Sequence, residues 1–226
     1  MTTATAILLT GPSIGIAPQV CLLRPDWRVT MINETPPAGL ASDRTWAFID
    51  WLCPTISGLE LCRRLRDNET TRQAHVTMVL DGDNGEARRR ALEAGADDYV
   101  IGPLSEAQLI ERVEALDYQS AKSSRPRLTH GDISLDRTAH QVRYRDRIVP
   151  VRPNEFRLFA HFLEHPDQVF SRGALIERLG KHVDGIDERT VDVWIGRLRR
   201  ALVAHGAPDP LRTVRSFGYV LDSKIA

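Results

Sequence analysis

Residues 187–202, DERTVDVWIGRLRRAL, decide the fold of the second half of the chain. The apolar residues of this stretch recur at steps of 4, 3 and 4 and so lie on one face of an α-helix: Val191, Ile195, Leu198 and Leu202. The residues between them are largely basic or aromatic. Such a helix fits the major groove of DNA, where guanidinium groups reach phosphates and guanine edges. An ordinary amphipathic surface helix has the same pattern, so this stretch alone leaves both interpretations open.

The charge of the chain is divided unequally between its halves. Residues 1–120 hold 11 basic and 17 acidic side chains, a net charge of −6, whereas residues 121–226 hold 19 and 13, a net charge of +6. This asymmetry indicates that only the second half meets a polyanion. The chain of 226 residues, 42% of them apolar, is long enough for two globular domains.

The sequence argues against several other classes of protein. No apolar run approaches the roughly 18–20 residues of a transmembrane helix, and the N-terminus lacks the basic region of a signal peptide, so we expect a cytoplasmic protein with no membrane partner. The three cysteines, Cys21, Cys53 and Cys62, have no C-x-x-C spacing, and we expect buried or half-buried free thiols. The seven histidines show no metal-ligand spacing and accompany no nucleophile motif. We therefore expect neither a metal site nor an enzyme.

Five short apolar runs alternate with helical patterns in the first half. The runs begin at Ala6, Arg28, Ala47, Val76 and Tyr99. Helices are predicted from Leu59, over residues 86–94 and from Ser105. This alternation predicts an α/β, doubly wound, five-stranded parallel sheet, with the functional site at the carboxyl ends of the strands. Asp50 directly follows the third run.

Two stretches, FIDWLCPTISGLELCRRLR (residues 48–66) and ALEAGADDYVIGPLSEAQLIERV (residues 91–113), resemble the flavodoxin-like receiver domain of bacterial two-component response regulators. That family has Asp at the end of the third strand, Pro four residues later and Gly eight residues later, and Asp50, Pro54 and Gly58 match. Its Gly-Ala-Asp-Asp-Tyr run matches residues 95–99. The resemblance implies that Asp50 occupies the phosphoacceptor position.

Three supporting groups of that phosphorylation site differ in this chain. Thr10-Gly11-Pro12 replaces the acidic pair that holds Mg²⁺, Asp81 replaces a hydroxyl residue, and Gly102 replaces the Lys before Pro103. Mg²⁺ needs several hard oxygen ligands, and phosphoryl transfer depends on positioning and charge neutralisation. We therefore expect no Mg²⁺ binding, no cofactor, and a receiver that acts independently of a histidine kinase. The alternative is a conventional phosphorylation-gated regulator whose rearranged metal site uses Asp50, Asp81 and Asp83.

Receivers of the resembled subfamily pair through their last two helices and fifth strand. In this chain that face carries residues of opposite charge, which suits a two-fold contact in a homodimer: Arg88, Arg89, Arg90, Asp97, Asp98, Glu111 and Arg112. A solvated charged face is the alternative, because exposed ion pairs contribute only about 0–1 kcal/mol each.

A polar stretch, residues 117–127, is predicted to be a flexible linker between a regulatory and dimerisation domain, residues 1–116, and a second domain, residues 128–226. In the second domain we predict short strands over residues 128–151. We also predict a helix over residues 154–164 with Asn154 as its N-cap, a helix capped by Ser171, a helix from Glu188 to about Ala204, and a terminal hairpin. NEFRLFAHFLEHPDQVFSR, ERTVDVWIGRLRRAL and RTVRSFGYVL resemble the α+β winged helix-turn-helix domain of the OmpR/PhoB family.

The resemblance implies that residues 188–204 form the recognition helix in the major groove. We expect Thr190, Val193, Trp194 and Arg197 to face away from the core, with Arg197 contacting a base. For Trp194, packing against DNA and a place partly in the core are both open. Phosphate contacts are expected from Arg189, Arg199, Arg200 and Thr213, and a minor-groove contact from Arg215 in the wing. The alternative for the first three is that they in part pair with Asp192 and Glu188. Val214, Phe217 and Tyr219 are expected to close the core beneath the wing.

The resemblance also implies partners beyond a single DNA site. Dimers would bind tandem half-sites of double-stranded DNA. The loop of residues 181–187, from Lys181 to Asp187, corresponds to a segment that contacts RNA polymerase in this family. The sequence therefore predicts a bacterial, sequence-specific transcriptional regulator with an atypical receiver, associated with the nucleoid when bound.

Overall fold

The computed structural model describes residues 5–37, 44–121, 126–179 and 187–223, and for residues 115–121 it describes the backbone. The chain divides into two compact units, Met1–Glu114 and Ala115–Ala226. None of the described helices is long and apolar enough to cross a membrane.

The first unit is built on a parallel sheet of five strands in the order β2-β1-β3-β4-β5. The strands are β1 (Thr5–Leu9), β2 (Trp27–Met31), β3 (Arg44–Asp50), β4 (His75–Leu80) and β5 (Asp98–Ile101). The helices are α1 (Ala17–Leu23), α2 (Gly58–Asp67), α3 (Gly85–Glu93) and α4 (Glu106–Ala121), and a 3-10 turn spans Gly11–Ile16. The doubly wound parallel sheet predicted from the alternating pattern is confirmed.

The middle of this sheet explains its sequence. Every residue of β1 and β4 is buried, because helices cover both faces of a parallel sheet and its strands are therefore almost continuously apolar.

Helix α1 was not predicted because its apolar residues form no single stripe: Val20 is buried whereas Leu22 is 82% exposed. Helix α4 continues to Ala121, so the prediction of a flexible linker from Asp117 is wrong for its first five residues, which are helical.

The second unit begins with a four-stranded antiparallel sheet of β6 (Arg127–His130), β7 (Ile133–Asp136), β8 (Gln141–Tyr144) and β9 (Arg147–Val149). Three helices follow: α5 (Pro153–Glu164), α6 (Arg172–Arg178) and α7 (Arg189–Ala204). The hairpin of β10 (Leu211–Val214) and β11 (Gly218–Leu221) completes the unit. This is the winged helix-turn-helix arrangement predicted from the sequence.

The starts of the first two of these helices test the predicted caps. Asn154 was expected to cap α5, but the helix begins one residue earlier, at Pro153, and Arg152 is the N-cap. Proline suits the first helical position because it has no N–H to leave unpaired. The backbone N–H of Arg152 donates to Glu155 Oε2 at 2.6 Å. The cap at Ser171 is confirmed, since its Oγ accepts a hydrogen bond from the N–H of Ala174 at 3.2 Å.

Candidate functional site

The acidic site lies at the carboxyl end of β3, where Asp50 is surrounded by the turn that follows β1. Thr10 Oγ1 donates to Asp50 Oδ2 at 3.1 Å and accepts from the Asp50 N–H at 2.8 Å. Ser13 donates through its Oγ to Asp50 Oδ1 at 2.7 Å and through its N–H to Oδ2 at 3.2 Å. Both carboxylate oxygens therefore accept hydrogen bonds from uncharged groups. Ser13 was missed from the sequence, although its place three residues after Thr10 is where a turn can fold back.

Close packing brings this turn onto the carboxylate. Gly11 has a φ of +45°, and a Cβ at this position would lie 2.9 Å from Asp50 Oδ2. The glycine therefore permits both the left-handed backbone and the short approach. Asp50 itself is only 6% exposed. Burial raises the pKa of its carboxyl above the usual range, the hydrogen bonds from Ser13 and Thr10 oppose that rise, and the charge of Asp81 adds to it.

The residues around Asp50 do not fit Mg²⁺. A magnesium site in a protein is normally built from one or more carboxylates and water in octahedral geometry. Here the turn after β1 supplies neutral hydroxyls, and these already hold the oxygens of Asp50. Asp81 is exposed and Asp83 is ion-paired with Arg88, as the chain leaves β4. Gly102, directly after β5, offers no cation at the position of the expected lysine.

The predicted dimer face contains two residues that serve the interior instead. Asp97 is fully buried, accepts from Arg66 Nη2 at 2.5 Å and from the Val76 N–H at 2.9 Å, and so anchors α2 to the sheet. Asp98 is 3% exposed and accepts from Arg112 Nη1 at 2.7 Å. Their predicted place on an exposed face is therefore wrong, because in the sequence a carboxylate that supports the core looks the same as one on the surface.

The arginines of α3 also have partners within the unit. Arg88 pairs with Asp83 and lies over the ring of Tyr99. Arg89 pairs with Glu86 and Glu93 of its own helix, at 2.7 and 2.6 Å. The guanidinium of Arg90 lies 5.6 Å from the centre of the Trp51 ring. Arg89, Arg90 and Glu111 are exposed, so these three residues of the predicted set remain accessible to another chain.

Helix α7 buries the predicted apolar stripe, and Val191, Ile195, Leu198 and Leu202 are at most 1% exposed. Trp194 and Thr190 were expected to face outward, and this is wrong: Trp194 is 0% and Thr190 is 1% exposed. Position 194 lies three residues after 191 and four before 198, so it belongs to the same helical face. The periodicity alone would have placed this tryptophan in the core.

Two arginines of α7 also point to structural partners. The side chain of Arg197 is 12% exposed, and its Nη1 lies 4.0 Å from Oε1 of the buried Glu155 on α5. Arg199 donates through Nη2 to the carbonyl of Leu211 at 2.9 Å and to Thr213 Oγ1 at 3.1 Å. Arg197 thus connects α7 to α5, and Arg199 connects it to the hairpin.

The accessible face of α7 is a second stripe, opposite the buried one. It runs at steps of 4, 3, 4 and 3 through Arg189, Val193, Gly196, Arg200 and Val203. Arg189 and Arg200 are exposed, and no atom outside the helix lies within 4 Å of where a Cβ would be at Gly196. The Arg189 N–H donates to Asp187 Oδ1 at 2.9 Å at the start of the helix. The accessible face therefore contains fewer residues than predicted. It carries Arg189 and Arg200 as cations, and Gly196 leaves open space between them.

The hairpin, which we call the wing (residues 211–221), is held against α6 and α7. Tyr219 OH donates to Asp192 Oδ1 at 2.5 Å, and Arg172 Nε donates to the same oxygen at 2.7 Å. Gly218, with a φ of +139°, packs so closely that a Cβ would lie 1.9 Å from the carbonyl oxygen of Phe170. Arg215 at the tip is exposed. Val214 is half-buried and Tyr219 buried, as expected, but Phe217 is 70% exposed and does not close the core.

Three further predictions meet the structure outside these surfaces. His161, Glu164 and His165 place potential ligand atoms within 4.8 Å of one another, so the expectation that no histidines have metal-ligand spacing is wrong. Glu164 is held by Arg137 at 2.8 Å and lies 3.8 Å from Arg178, and these two positive charges oppose a cation there. Cys21 is exposed, contrary to expectation, whereas Cys53 is half-buried and Cys62 buried. The loop of residues 181–187 lies outside the described residues except for Asp187.

Comparison with known proteins identifies both units. A family model described as response regulator receiver domain matches residues 43–114, and one described as transcriptional regulatory protein, C terminal, matches residues 146–221. The chain is 43% identical over 176 residues to the phosphate regulon transcriptional regulatory protein PhoB of Rhizobium meliloti, covering 77% of this chain and 78% of that protein. It is 36% identical over 199 residues to PhoB of Escherichia coli, covering 86% and 82%.

Solved structures agree with this assignment at the level of the fold. The chain resembles a mutant of RitR with a TM-score of 0.66 at 21% identity, over 96% of this chain and 99% of that one. The sequence relatives and the two family models, matched in the order in which the two units occur, establish the rest: this chain belongs to the OmpR/PhoB family of response regulators and is a DNA-binding transcriptional regulator with a winged helix-turn-helix domain.

Proposed function

We propose that this regulator binds tandem DNA half-sites as a homodimer without Mg²⁺-dependent phosphorylation of Asp50. The observation that carries the proposal is the hydrogen bonding of Asp50: both of its oxygens are held by Thr10 and Ser13, where the family places metal-binding carboxylates. Gly102 and Asp81 add to the argument, because neither supplies a group that would stabilise a phosphoryl oxygen. The first unit then acts as a dimerisation domain, and a histidine kinase is not required.

Intact-mass spectrometry of the full chain tests this proposal. The chain is incubated with a small-molecule phosphodonor and Mg²⁺, beside a receiver that has the acidic pair as a positive control and Asp50→Asn as a negative control. We expect the control receiver to gain one phosphoryl group and this chain to keep its mass. A phosphoryl adduct on this chain that is lost in Asp50→Asn would overturn the proposal.

A second candidate function is the conventional phosphorylation-gated switch. One observation favours it: Asp81 is close enough for its charge to raise the pKa of Asp50, so a rearranged acidic site could involve Asp81 and Asp83. Against it, Asp83 is paired with Arg88. If the adduct forms and disappears in Asp81→Ala as well as in Asp50→Asn, this candidate replaces the first.

The proposed DNA interface consists of the outer stripe of α7 and the tip of the wing. Arg189 and Arg200 are positioned for phosphates, and Gly196 leaves room for close approach of the backbone between them. Thr213 and Arg215 extend the surface toward the minor groove. Arg199 holds Thr213 of this surface in place through a hydrogen bond. Trp194 and Thr190 are buried beneath the surface and support it by packing.

Arg197 remains the proposed base contact, although in the structure its side chain is directed toward α5. Its guanidinium must turn from Glu155 toward DNA, so Glu155 is the group that competes with the base. Arg197→Ala should weaken binding to a selected operator by about 1–3 kcal/mol and reduce discrimination against random DNA. Arg197→Lys, with thermal melts of both variants, separates this from a loss of folding. An equal loss on operator and random DNA would contradict a base contact.

The proposed dimer rests on the exposed charges Arg89, Arg90 and Glu111. Analytical ultracentrifugation of the full chain at micromolar concentration, without phosphodonor, should show a dimer that Arg90→Glu weakens. A monomer under these conditions would contradict constitutive dimerisation.

RNA polymerase contact through residues 181–187 predicts that substitutions there abolish activation and leave DNA affinity intact.

A further inference from the structure

The tip of the wing carries an apolar side chain that the fold does not use. Phe217 is 70% exposed, and it is the one exposed Phe, Trp or Tyr among the side chains that the structure describes. The other Phe, Trp and Tyr side chains described in this unit are buried or half-buried. Exposed in this way, the ring contributes little to the packing of this unit, and it is accessible to a binding partner.

The backbone holds Phe217 in this exposed position. Gly218 and Tyr219 immediately follow it and are fixed to the loop before α6: the Tyr219 N–H donates to the carbonyl of Phe170 at 3.0 Å, and the Phe170 N–H donates to the carbonyl of Tyr219 at 2.9 Å. On the other side, the Phe217 N–H donates to the carbonyl of Val214 at 3.0 Å, and Ser216 at the turn has a φ of +65°. The tip is thus a closed turn rather than a loose loop, and Phe217 is presented at a defined place.

The neighbours of Phe217 indicate what it contacts. Arg215, two residues earlier in the same turn, is exposed and has no acidic neighbour within the turn. A narrow minor groove combines strong negative potential with apolar sugar walls, and DNA-binding proteins fill it with arginine and with apolar side chains. A cation and an apolar ring on one turn match that combination.

We propose that Phe217 packs into the minor groove beside Arg215 and makes the wing select A·T pairs. The minor-groove edge of a G·C pair carries the guanine amino group, which an A·T pair lacks. An apolar ring at the floor of the groove leaves that amino group without a hydrogen-bond acceptor and meets it sterically. The inference rests on the proposed DNA interface and adds to it a residue that contributes specificity without a hydrogen bond.

The test uses the full chain and a duplex selected by the wild type from a random pool. Affinity is measured by fluorescence anisotropy for wild type, Phe217→Ala, Phe217→Leu and Arg215→Ala. Ile148→Ala is the matched control, because Ile148 is also an exposed apolar residue of this unit, at 49%, but lies on β9. Thermal melts confirm that the variants fold, which is expected for a side chain this exposed.

We expect Phe217→Ala to weaken binding about tenfold, Phe217→Leu to weaken it less, and Ile148→Ala to leave it unchanged. A second duplex carries 2,6-diaminopurine in place of adenine, which adds an amino group in the minor groove and leaves the major-groove edge as it was. The wild type should lose affinity for this duplex, and Phe217→Ala should lose much less.

Three results would overturn the inference. One is affinity of Phe217→Ala within twofold of wild type while Arg215→Ala weakens binding, which leaves the DNA interface standing and removes Phe217 from it. Another is an equal loss on diaminopurine DNA for wild type and Phe217→Ala. The third is a loss confined to the second protomer on tandem sites, which would make Phe217 a protein contact. Failure of the proposed DNA interface is different, since Arg215→Ala would then bind the selected duplex as tightly as the wild type does.

Discussion

Substitution of Ser13 by alanine tests whether the receiver-like unit has exchanged a metal site for a hydrogen-bonded one. Ser13 Oγ donates to Asp50 Oδ1 at 2.7 Å, and both residues are buried. A hydrogen bond to a charged group contributes about 1.5–3 kcal/mol, and loss of the donor leaves a buried carboxylate oxygen under-satisfied. We expect Ser13→Ala to lower the free energy of unfolding of this unit by about 2 kcal/mol, roughly 8 °C in its transition temperature.

Differential scanning calorimetry of the full chain measures this effect with an internal control. The transition of the winged helix-turn-helix unit should stay where it is, because Ser13 belongs to the other compact unit. In an Asp50→Ala background the acceptor is gone, so Ser13→Ala should then cost less than about 0.5 kcal/mol, and the difference gives the coupling energy between the two side chains.

The pH dependence gives a second readout. The pKa of Asp50 is raised above 3.8 by burial, so the folded state binds the proton more tightly than the unfolded state does. The stability that the protonated carboxyl contributes is fully present below pH 3.8. It is lost as the pH rises through the pKa of the folded state and the carboxyl ionises. Ser13 stabilises the ionised form, so the penalty of Ser13→Ala should shrink as the pH is lowered toward 3.8. Equal stability of wild type and Ser13→Ala at pH 7 would refute the reasoning.

Three further predictions concern the second unit. Burial lowers the pKa of His161 to about 4, so the folded state keeps this ring neutral while the unfolded state is protonated below pH 6.5. The free energy of unfolding should therefore fall by up to about 3 kcal/mol as the pH drops from 6.5 to 4. In urea titrations, His161→Phe should remove that dependence. Trp194→Ala should destabilise the unit by about 3–5 kcal/mol, and Trp194→Phe, if folded, should keep its operator affinity; a loss of affinity without a loss of stability would return Trp194 to the interface. Gly218→Ala should release the wing from Phe170 and weaken both stability and DNA binding, and an unchanged melt and affinity would show that the contact is dispensable.

Much of the fold could be predicted because it depends on local periodicity. The apolar runs of β1 and β4 and the stripe through Val191 and Leu198 record which side of each element meets the core. Helix α1 could not be predicted in this way, because its apolar residue Leu22 is exposed and does not face the core. The cap at Ser171 was predictable, whereas Asn154 was misplaced because Pro153 can begin a helix as readily as an asparagine can cap one.

The sequence by itself determined the two units, the absence of the acidic pair after β1, and the helix that we propose contacts DNA, because each follows from residue type and spacing along the chain. Only the tertiary structure decided how the side chains are used. Ser13 holds Asp50, Glu155 holds Arg197, and Asp97 holds Arg66, all through contacts between residues far apart in sequence. Trp194 lies in the core and Phe217 in solvent, since burial depends on what packs against a residue and not on its hydrophobicity alone.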